Sequence, residues 1–400
     1  MASNTSINVS SDKATPTILQ VLPRLATGGV ERGTIEIAQA LVAAGWRAIV
    51  ASEGGPMVRE LDRIGVEHVT LPLATKNPLA IRRNGERLAE LIRAKGVSLV
   101  HARSRAPAHS AKQAARACGV PFVTTFHGTY NMGPMGWKRR YNAVMAQGDR
   151  VIAISNFIKR HILSEYGAAF GVEESRIRVI PRGVDFSRFD PDKVSAERMI
   201  QLAQRWRLAD GEPVITLPGR LTRWKGQLLL IEALAQIKDL PFRTLLIGSD
   251  QGRTAYRDEV EAAARAAGLA DRVLVAGDCN DMPAAYMISD VVVSASTDPE
   301  AFGRVAAEGQ AMGRPVLAPR HGAAPEIIRD GDTGWLFVPG NAASLAQVLR
   351  AALTLTGEQR QTLAARAIAD MQARFSTDAM CARTLNVYRE LLGCEVAEAS

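Results

Sequence analysis

Two carboxylates, a small set of cations, a histidine and a glycine pair stand out in the sequence. Each lies where an apolar run gives way to a helical one. In Pro218-Gly219-Arg220-Leu221-Thr222-Arg223-Trp224-Lys225-Gly226-Gln227, two or three cations converge on one turn ahead of a helix. A diphosphate placed there would gain charge-assisted hydrogen bonds of about 1.5–3 kcal/mol each, helped by the helix dipole. A solvated basic turn is the plainer alternative. Glu300 and Glu308 are eight residues apart, the second on a helix that Gly303 opens. Eight helical residues span about 12 Å, beyond the roughly 5–9.5 Å between the carboxylates of a glycoside-hydrolysing pair. Carboxylates also accept hydrogen bonds from vicinal hydroxyls, as one does from a ribose in dinucleotide folds. His127 ends an apolar run, where a ligand-facing role competes with a structural one. Gly28-Gly29 precedes a helix whose free N–H groups suit a phosphate, although a tight turn needs the same residues. Neither GxGxxG nor GxxxxGK[ST] is present.

The elements that must position these groups alternate in type. Apolar, β-branched runs occur at 17–22, 47–52, 66–71, 97–101, 121–126, 150–154 and 177–180. They resume at 213–217, 243–248, 272–276, 290–294 and 315–318, with Ala/Leu/Arg-rich helical segments such as 31–44, 79–95, 106–118 and 227–237 between them. Strands alternating with helices predict parallel sheets in an α/β protein. The rhythm breaks at 190–212, so two doubly wound domains are expected, followed by a helical tail over 345–392. Open parallel sheets bind ligands beyond the carboxyl ends of their strands, and all the groups above lie in strand-to-helix loops.

Composition agrees with such a protein. The 400 residues are 47% hydrophobic and 22% charged, which excludes a disordered chain and gives enough length for two cores. No apolar run approaches the roughly 18 residues of a membrane span. The polar start, MASNTSINVSSDKATPT, lacks the apolar core of a signal peptide, so a cytoplasmic location is expected. The four cysteines, Cys118, Cys279, Cys381 and Cys394, form no CxxC or zinc-like spacing and read as reduced thiols. The net charge of +8 is uneven: residues 1–200 hold 28 Lys and Arg against 17 Asp and Glu, residues 201–400 hold 21 against 24. An anionic partner is therefore expected on the first half.

Taken together, Gly28-Gly29-Val30-Glu31, Gly219-Arg220 with Lys225-Gly226, Glu300-x7-Glu308, and the run from His321-Gly322-Ala323-Ala324-Pro325-Glu326 to Gly334-Trp335-Leu336-Phe337 resemble a family 4 retaining glycosyltransferase of GT-B fold. The likeness extends along nearly the whole chain and resembles bacterial cell-envelope and lipopolysaccharide enzymes. It implies two Rossmann-like domains facing across a cleft: 1–195 for the acceptor, 210–375 for a nucleotide sugar, and a helix within 376–400 returning to the first. It also implies that Arg220 and Lys225 neutralise the donor diphosphate, and that Glu300 contacts the transferred sugar beside Phe302, Gly303, Arg304 and Val305. Glu308 would accept from the ribose, Gly28 and Gly29 would let the backbone approach phosphate, and His127 would lie at the sugar. The base would rest on the loop carrying Asp278 and Cys279. No cofactor or metal is implied beyond a UDP- or GDP-linked substrate. The Asp190-x-Asp192 and Asp330-x-Asp332 spacings fall in a linker and a turn. Two departures matter: Ala301 stands where such members carry Gly, and Arg182 where they carry Asn.

The acceptor is expected on the basic first half. Arg82 and Arg83, Arg103 and Arg105, and Trp137 with Lys138, Arg139 and Arg140 are the candidates. Aromatic and Met residues beside cations suit an anionic membrane face, at roughly 1 kcal/mol per cation. The expected reaction moves a hexose or N-acetylhexosamine to a lipid-linked or lipopolysaccharide-type acceptor at the inner membrane face; a soluble acceptor is the alternative. A nicotinamide-dependent oxidoreductase lacks its glycine fingerprint here, and a nucleic-acid binder lacks a recognisable module.

Overall fold

The computed structural model describes residues 15–26, 28–252 and 254–395. The polar start through residue 14 and the end of the 376–400 segment lie outside the described residues. Seven parallel strands form the first sheet: β1 (Thr17–Val21), β2 (Arg47–Ser52), β3 (Glu67–Thr70), β4 (Leu99–Ala102), β5 (Phe122–Phe126), β6 (Arg150–Ala153) and β7 (Ile177–Val179), in the order β3-β2-β1-β4-β5-β6-β7. Six more form the second: β8 (Val214–Pro218), β9 (Arg243–Ile247), β10 (Val273–Gly277), β11 (Val291–Val293), β12 (Val316–Pro319) and β13 (Trp335–Phe337), in the order β10-β9-β8-β11-β12-β13. Both orders reverse at the first strand of their half, the topological switch that opens a crevice beyond the carboxyl ends.

Helices cover both faces, which is why β1, β4, β5 and β8 are buried along their whole length. The helix Gly29–Ala43 turns Ile35, Ala38 and Leu41 onto β1 and β2. Pro78–Lys95 shows why the chain helicises locally. The Asn77 side chain accepts from the Leu79 and Ala80 amides, Pro78 occupies the first turn, and Gly96 ends the helix in the left-handed conformation.

Twelve of the thirteen strands among the described residues fall on the expected runs, with ends displaced by at most two residues. The exception is β13, which the run of alternation does not signal. It is three residues long, and what makes it a strand is pairing of Trp335, Leu336 and Phe337 with Leu317, Ala318 and Pro319 of β12. The helix expected over 227–237 ends at Leu234.

Between the sheets, the helix Ala196–Arg205 packs on Met282–Met287 and is held there by a bidentate pair from Arg198 to Asp281 at 2.6 and 2.8 Å. The chain later comes back. After Gly357–Phe375 packs on Arg304–Ala311, the last helix, Thr377–Leu392, lies against Gly29–Ala43. Its Tyr388 hydroxyl sits 2.6 Å from Nδ1 of buried His101, whose Nε2 is 2.7 Å from the Thr125 hydroxyl. Outgoing and returning segments touch: the Val184 amide donates to Phe375 O (2.7 Å), and the Thr377 amide donates to Val184 O (3.2 Å).

Candidate active site

The carboxyl ends of the two sheets face one another across a cavity of about 910 Å³. From the first sheet, the loop after β1 brings Gly28 and Gly29 to its wall, and the loop after β5 brings His127. From the second, the loop after β8 brings Gly219, Arg220 and Lys225, and the loop after β11 brings Glu300 to Val305. A second cavity of about 390 Å³ shares Gly28, Gly29, Arg182 and Arg304 with the first and reaches Glu308 and Arg188.

Glu300 is heavily held. Its Oε1 is 2.6 Å from Lys225 Nζ, 2.5 Å from the Ser296 hydroxyl and 3.4 Å from that of Ser294. Both partners of the ion pair are largely buried, with side chains 13% and 17% exposed, so the interaction is screened much less than a surface pair. The backbone under it is fixed as well. Gly322 has φ +61°, and a Cβ there would lie 2.6 Å from Glu300 O and 2.7 Å from Glu300 N. The neighbouring Ala323 amide donates to Glu300 O at 2.9 Å. The glycine thus serves twice, for its conformation and for its missing side chain.

Glu308 is clamped from two sides. Arg304 reaches its Oε1 at 2.7 and 3.1 Å, and the Tyr286 hydroxyl donates to its Oε2 at 3.0 Å. The Glu308 carboxylate raises the Arg304 guanidinium's affinity for its proton, while burial raises the Tyr286 hydroxyl well above the usual range. Arg220 differs from these groups: it is exposed and its guanidinium has no partner among the described residues. The third cation of that turn, Arg223, is committed elsewhere, in a bidentate pair with Glu259 at 2.6 and 2.7 Å. The loop thus presents one open cation, Arg220, and two already paired, Lys225 with Glu300 and Arg223 with Glu259.

His127 lines the cavity wall beside Gly128 and Thr129. Burial, and then the charges of Arg182 and Arg103, hold its imidazole neutral, well below the ordinary histidine range. Phe302 is buried with its ring against Phe375, so its contribution to the cavity wall is chiefly backbone. Ala301 turns its carbonyl toward the other half of the molecule, where the Ser155 hydroxyl donates to it at 2.7 Å. Beside it, Glu326 crosses from the second half to accept from the Asn156 and Phe157 amides, at 2.7 and 2.6 Å, at the start of Asn156–Ile162.

The other candidates are scattered. Asp278 and Cys279 follow β10 and line neither cavity. Arg103 is a correction: the structure buries it to 5% exposure, which removes it from any acceptor or membrane face. The turn after β4 directs it beneath Gly29–Ala43, where Gly33 leaves room; a Cβ on Gly33 would lie 2.9 Å from Arg103 Nη2. Arg105 stacks over the Tyr130 ring at 4.2 Å and donates to Asn142 at 3.0 Å. Arg82 and Arg83 are exposed, the former beside Glu86 at 3.4 Å. Trp137 is 64% exposed with Lys138 near its ring, Arg139 donates to the Glu165 carbonyl, and Arg140 borders a separate groove with Lys112 and Arg116. Sequence reasoning missed Ser296 and Tyr286, which hold the two carboxylates from outside any motif, and the cross-cleft role of Glu326.

Comparison with known proteins places this architecture. The family model described as Glycosyltransferase Family 4 matches residues 27–188, and that described as Glycosyl transferases group 1 matches residues 200–370. A D-inositol 3-phosphate glycosyltransferase of Xylanimonas cellulosilytica is 33% identical over 295 residues, covering 69% of this chain and 68% of that protein. A crystal structure of a glycosyltransferase from Rickettsia africae superposes with a TM-score of 0.87 at 38% identity, covering 94% of this chain and 99% of that one. Anabaena Alr3699/HepE in complex with UDP and glucose superposes at 0.76 with 25% identity, covering 93% and 98%. Two parallel sheets whose strand ends meet over cations and carboxylates, and sequence likeness in both halves, lead to one family: the chain belongs to the family 4 glycosyltransferases and has their GT-B fold.

Proposed function

We propose that the protein transfers a hexose or N-acetylhexosamine, with retention at the anomeric carbon, from a UDP- or GDP-linked donor to a lipid-linked acceptor at the cytoplasmic face of the inner membrane. One observation carries the donor reading: Arg220, Lys225, Glu300 and His127 converge from both sheets on a single cavity, and Glu308 stands on the first turns of the helix beside it. In this reading the diphosphate takes Arg220 and Lys225, which stabilise the charge that grows on the leaving oxygen. Their charge does the work a metal ion does in other transferases, so the reaction is metal-independent. Glu308 accepts from the ribose, Glu300 from the sugar hydroxyls, and His127 meets the sugar from the opposite wall. The base would rest beyond both cavities, toward the loop after β10 that carries Asp278 and Cys279. UDP and glucose bound to the Anabaena relative support a nucleotide-sugar donor.

The lipid-linked acceptor is supported by exposed Met135 and Trp137 beside Lys138 and Arg140 on the basic half, an amphipathic patch of the kind that lies in a membrane interface. Among the described residues no helix is long and apolar enough to cross a membrane, so attachment would be peripheral. A soluble phosphorylated acceptor is the second reading, favoured by the inositol phosphate in the name of the Xylanimonas relative.

The experiment is a panel of UDP-, GDP- and ADP-sugars tested for binding and slow hydrolysis, with Glu308→Ala as control. Tight binding of one donor class, lost in the variant, is the expected result, and no binding of any donor refutes the site. Flotation on vesicles containing anionic lipid, compared with Trp137→Ala and Arg140→Glu, decides between the acceptors. Product anomers read by NMR decide the stereochemistry.

A further inference from the structure

Arg182 lies just past β7 and spends its guanidinium on two neutral partners. Nη1 donates to the carbonyl of Gly29 at 2.5 Å, and Nη2 lies 2.9 Å from Nδ1 of His127. The contact with the glycine loop is close enough that a Cβ on Gly29 would sit 3.0 Å from Nη1.

A guanidinium can only donate, so Nδ1 of His127 must offer its lone pair. The ring's single proton then resides on Nε2. That nitrogen is buried and has no hydrogen-bond partner among the described residues, although the ring forms part of the wall of the large cavity. The charged and titratable groups facing the ring are Arg182 beside it, Arg103 from the β4 loop and His101 from β4 itself; each disfavours a second proton. Burial acts the same way and also lowers Arg182 itself to about 10. An unsatisfied buried N–H is costly, and a ligand oxygen removes that cost.

We infer that Arg182 is a positioning residue: it fixes His127 as an Nε2–H donor for an oxygen of the transferred sugar, and through Gly29 it ties that donor to the loop that approaches the phosphates. The inference rests on the donor reading for what the N–H meets, whereas the tautomer is a property of the unliganded protein. The two parts are therefore tested separately. A single side chain would thus set two subsites in register, a coupling that a shorter residue at position 182 could not span.

The test is NMR of protein labelled with ¹⁵N only in its six histidines, with His127 identified by its loss in His127→Gln. In the wild type His127 is expected to show one neutral tautomer, with Nδ1 unprotonated, constant from about pH 5.5 to 8. Arg182→Met is expected to mix the tautomers, with kcat/KM falling about tenfold. Arg182→Lys keeps one donor and should retain the tautomer, which separates positioning from loss of the fold. Adding the nucleotide sugar should move the Nε2 resonance in the wild type. A protonated Nδ1 in the wild type, or an Arg182→Met protein with an unchanged tautomer, overturns the inference. An Nε2 resonance that a turned-over donor leaves unmoved overturns its substrate half. Absence of any turnover by the wild type refutes the donor reading instead, with the tautomer still decided by the unliganded spectrum.

Discussion

Replacing Lys225 by Met keeps the stem of the side chain and removes its charge. The wild-type ammonium lies 2.6 Å from Glu300, and that carboxylate keeps the hydroxyls of Ser296 and Ser294 when the lysine is gone. Glu300 therefore stays hydrogen-bonded, and the loss to stability is that of one charge-assisted bond, about 1.5–3 kcal/mol. The same figure applies to the bond Lys225 would make to a donor phosphate, which corresponds to about 10- to 150-fold in affinity. If Lys225 also meets charge that develops as the sugar departs, kcat falls by a further factor of about 10²–10³, the usual cost of one such donor. Calorimetric titration with the nucleoside diphosphate reads the first effect and single-turnover kinetics with the nucleotide sugar the second. A cycle with Glu300→Gln separates a direct role from a supporting one. If Lys225 serves only to hold Glu300, the double variant is no worse than Glu300→Gln alone. Nucleoside diphosphate affinity within twofold of wild type in Lys225→Met, with kcat unchanged, would refute the placement of the diphosphate.

Gly322→Ala puts a methyl group on a residue at φ +61° and within 2.7 Å of the Glu300 backbone. Turnover should collapse while nucleoside diphosphate affinity changes little, because Arg220 and Lys225 are not displaced; equal losses in both would contradict this. Tyr286→Phe removes one hydrogen bond to Glu308 while leaving Arg304 in place. Donor affinity should fall by about 0.5–1.5 kcal/mol, or roughly 2- to 12-fold, in the same titration. Acid should destabilise the protein through His101, whose imidazole burial holds well below the ordinary range. The unfolded chain takes up the proton first, so this stability is complete above about pH 6.5 and is lost as the pH falls below it. Denaturant unfolding at pH 6.5 and 5.5 should show about 1 kcal/mol more loss in the wild type than in His101→Gln, and equal losses would refute it.

How legible all this is in the sequence depends on the range of the interaction that carries each feature. Parallel strands between helical segments leave short apolar, β-branched runs, so twelve of them can be placed from residue types alone, including the edge strands β3 and β10, which have no fully buried residue. β13 escapes because a three-residue strand has no period of its own and exists by pairing with β12. Motif spacing can bring Arg220, Lys225, Glu300 and His127 to strand ends, since the topology requires those loops to share one side. It cannot tell Arg220 from Arg223, as the difference is Glu259, thirty-six residues on, which draws one and not the other. Arg103 reads as a surface cation in sequence because nothing local announces that Gly33 has vacated a space for it. The pairing of Arg182 with His127 spans 55 residues and leaves no trace in either segment.

The contact between residues 184 and 375–377 bears on how the two halves can move. Chain passes between them twice, and the two passages are bonded side by side through Val184, Phe375 and Thr377. Gly183 is packed so closely there that a Cβ would lie 2.3 Å from the Thr377 Cα. A single covalent tether would permit swivelling in any direction, whereas two stitched strands behave like the leaf of a door hinge. Turning about their common line leaves these bonds in place, while twisting or sliding must break them. Any motion of one half against the other that spares these bonds is confined to turning about that line. Removing the last helix would leave one tether in place of two and would also strip Leu385, Val387 and Tyr388 from the core of the first half, so the shared axis and that core depend on one element.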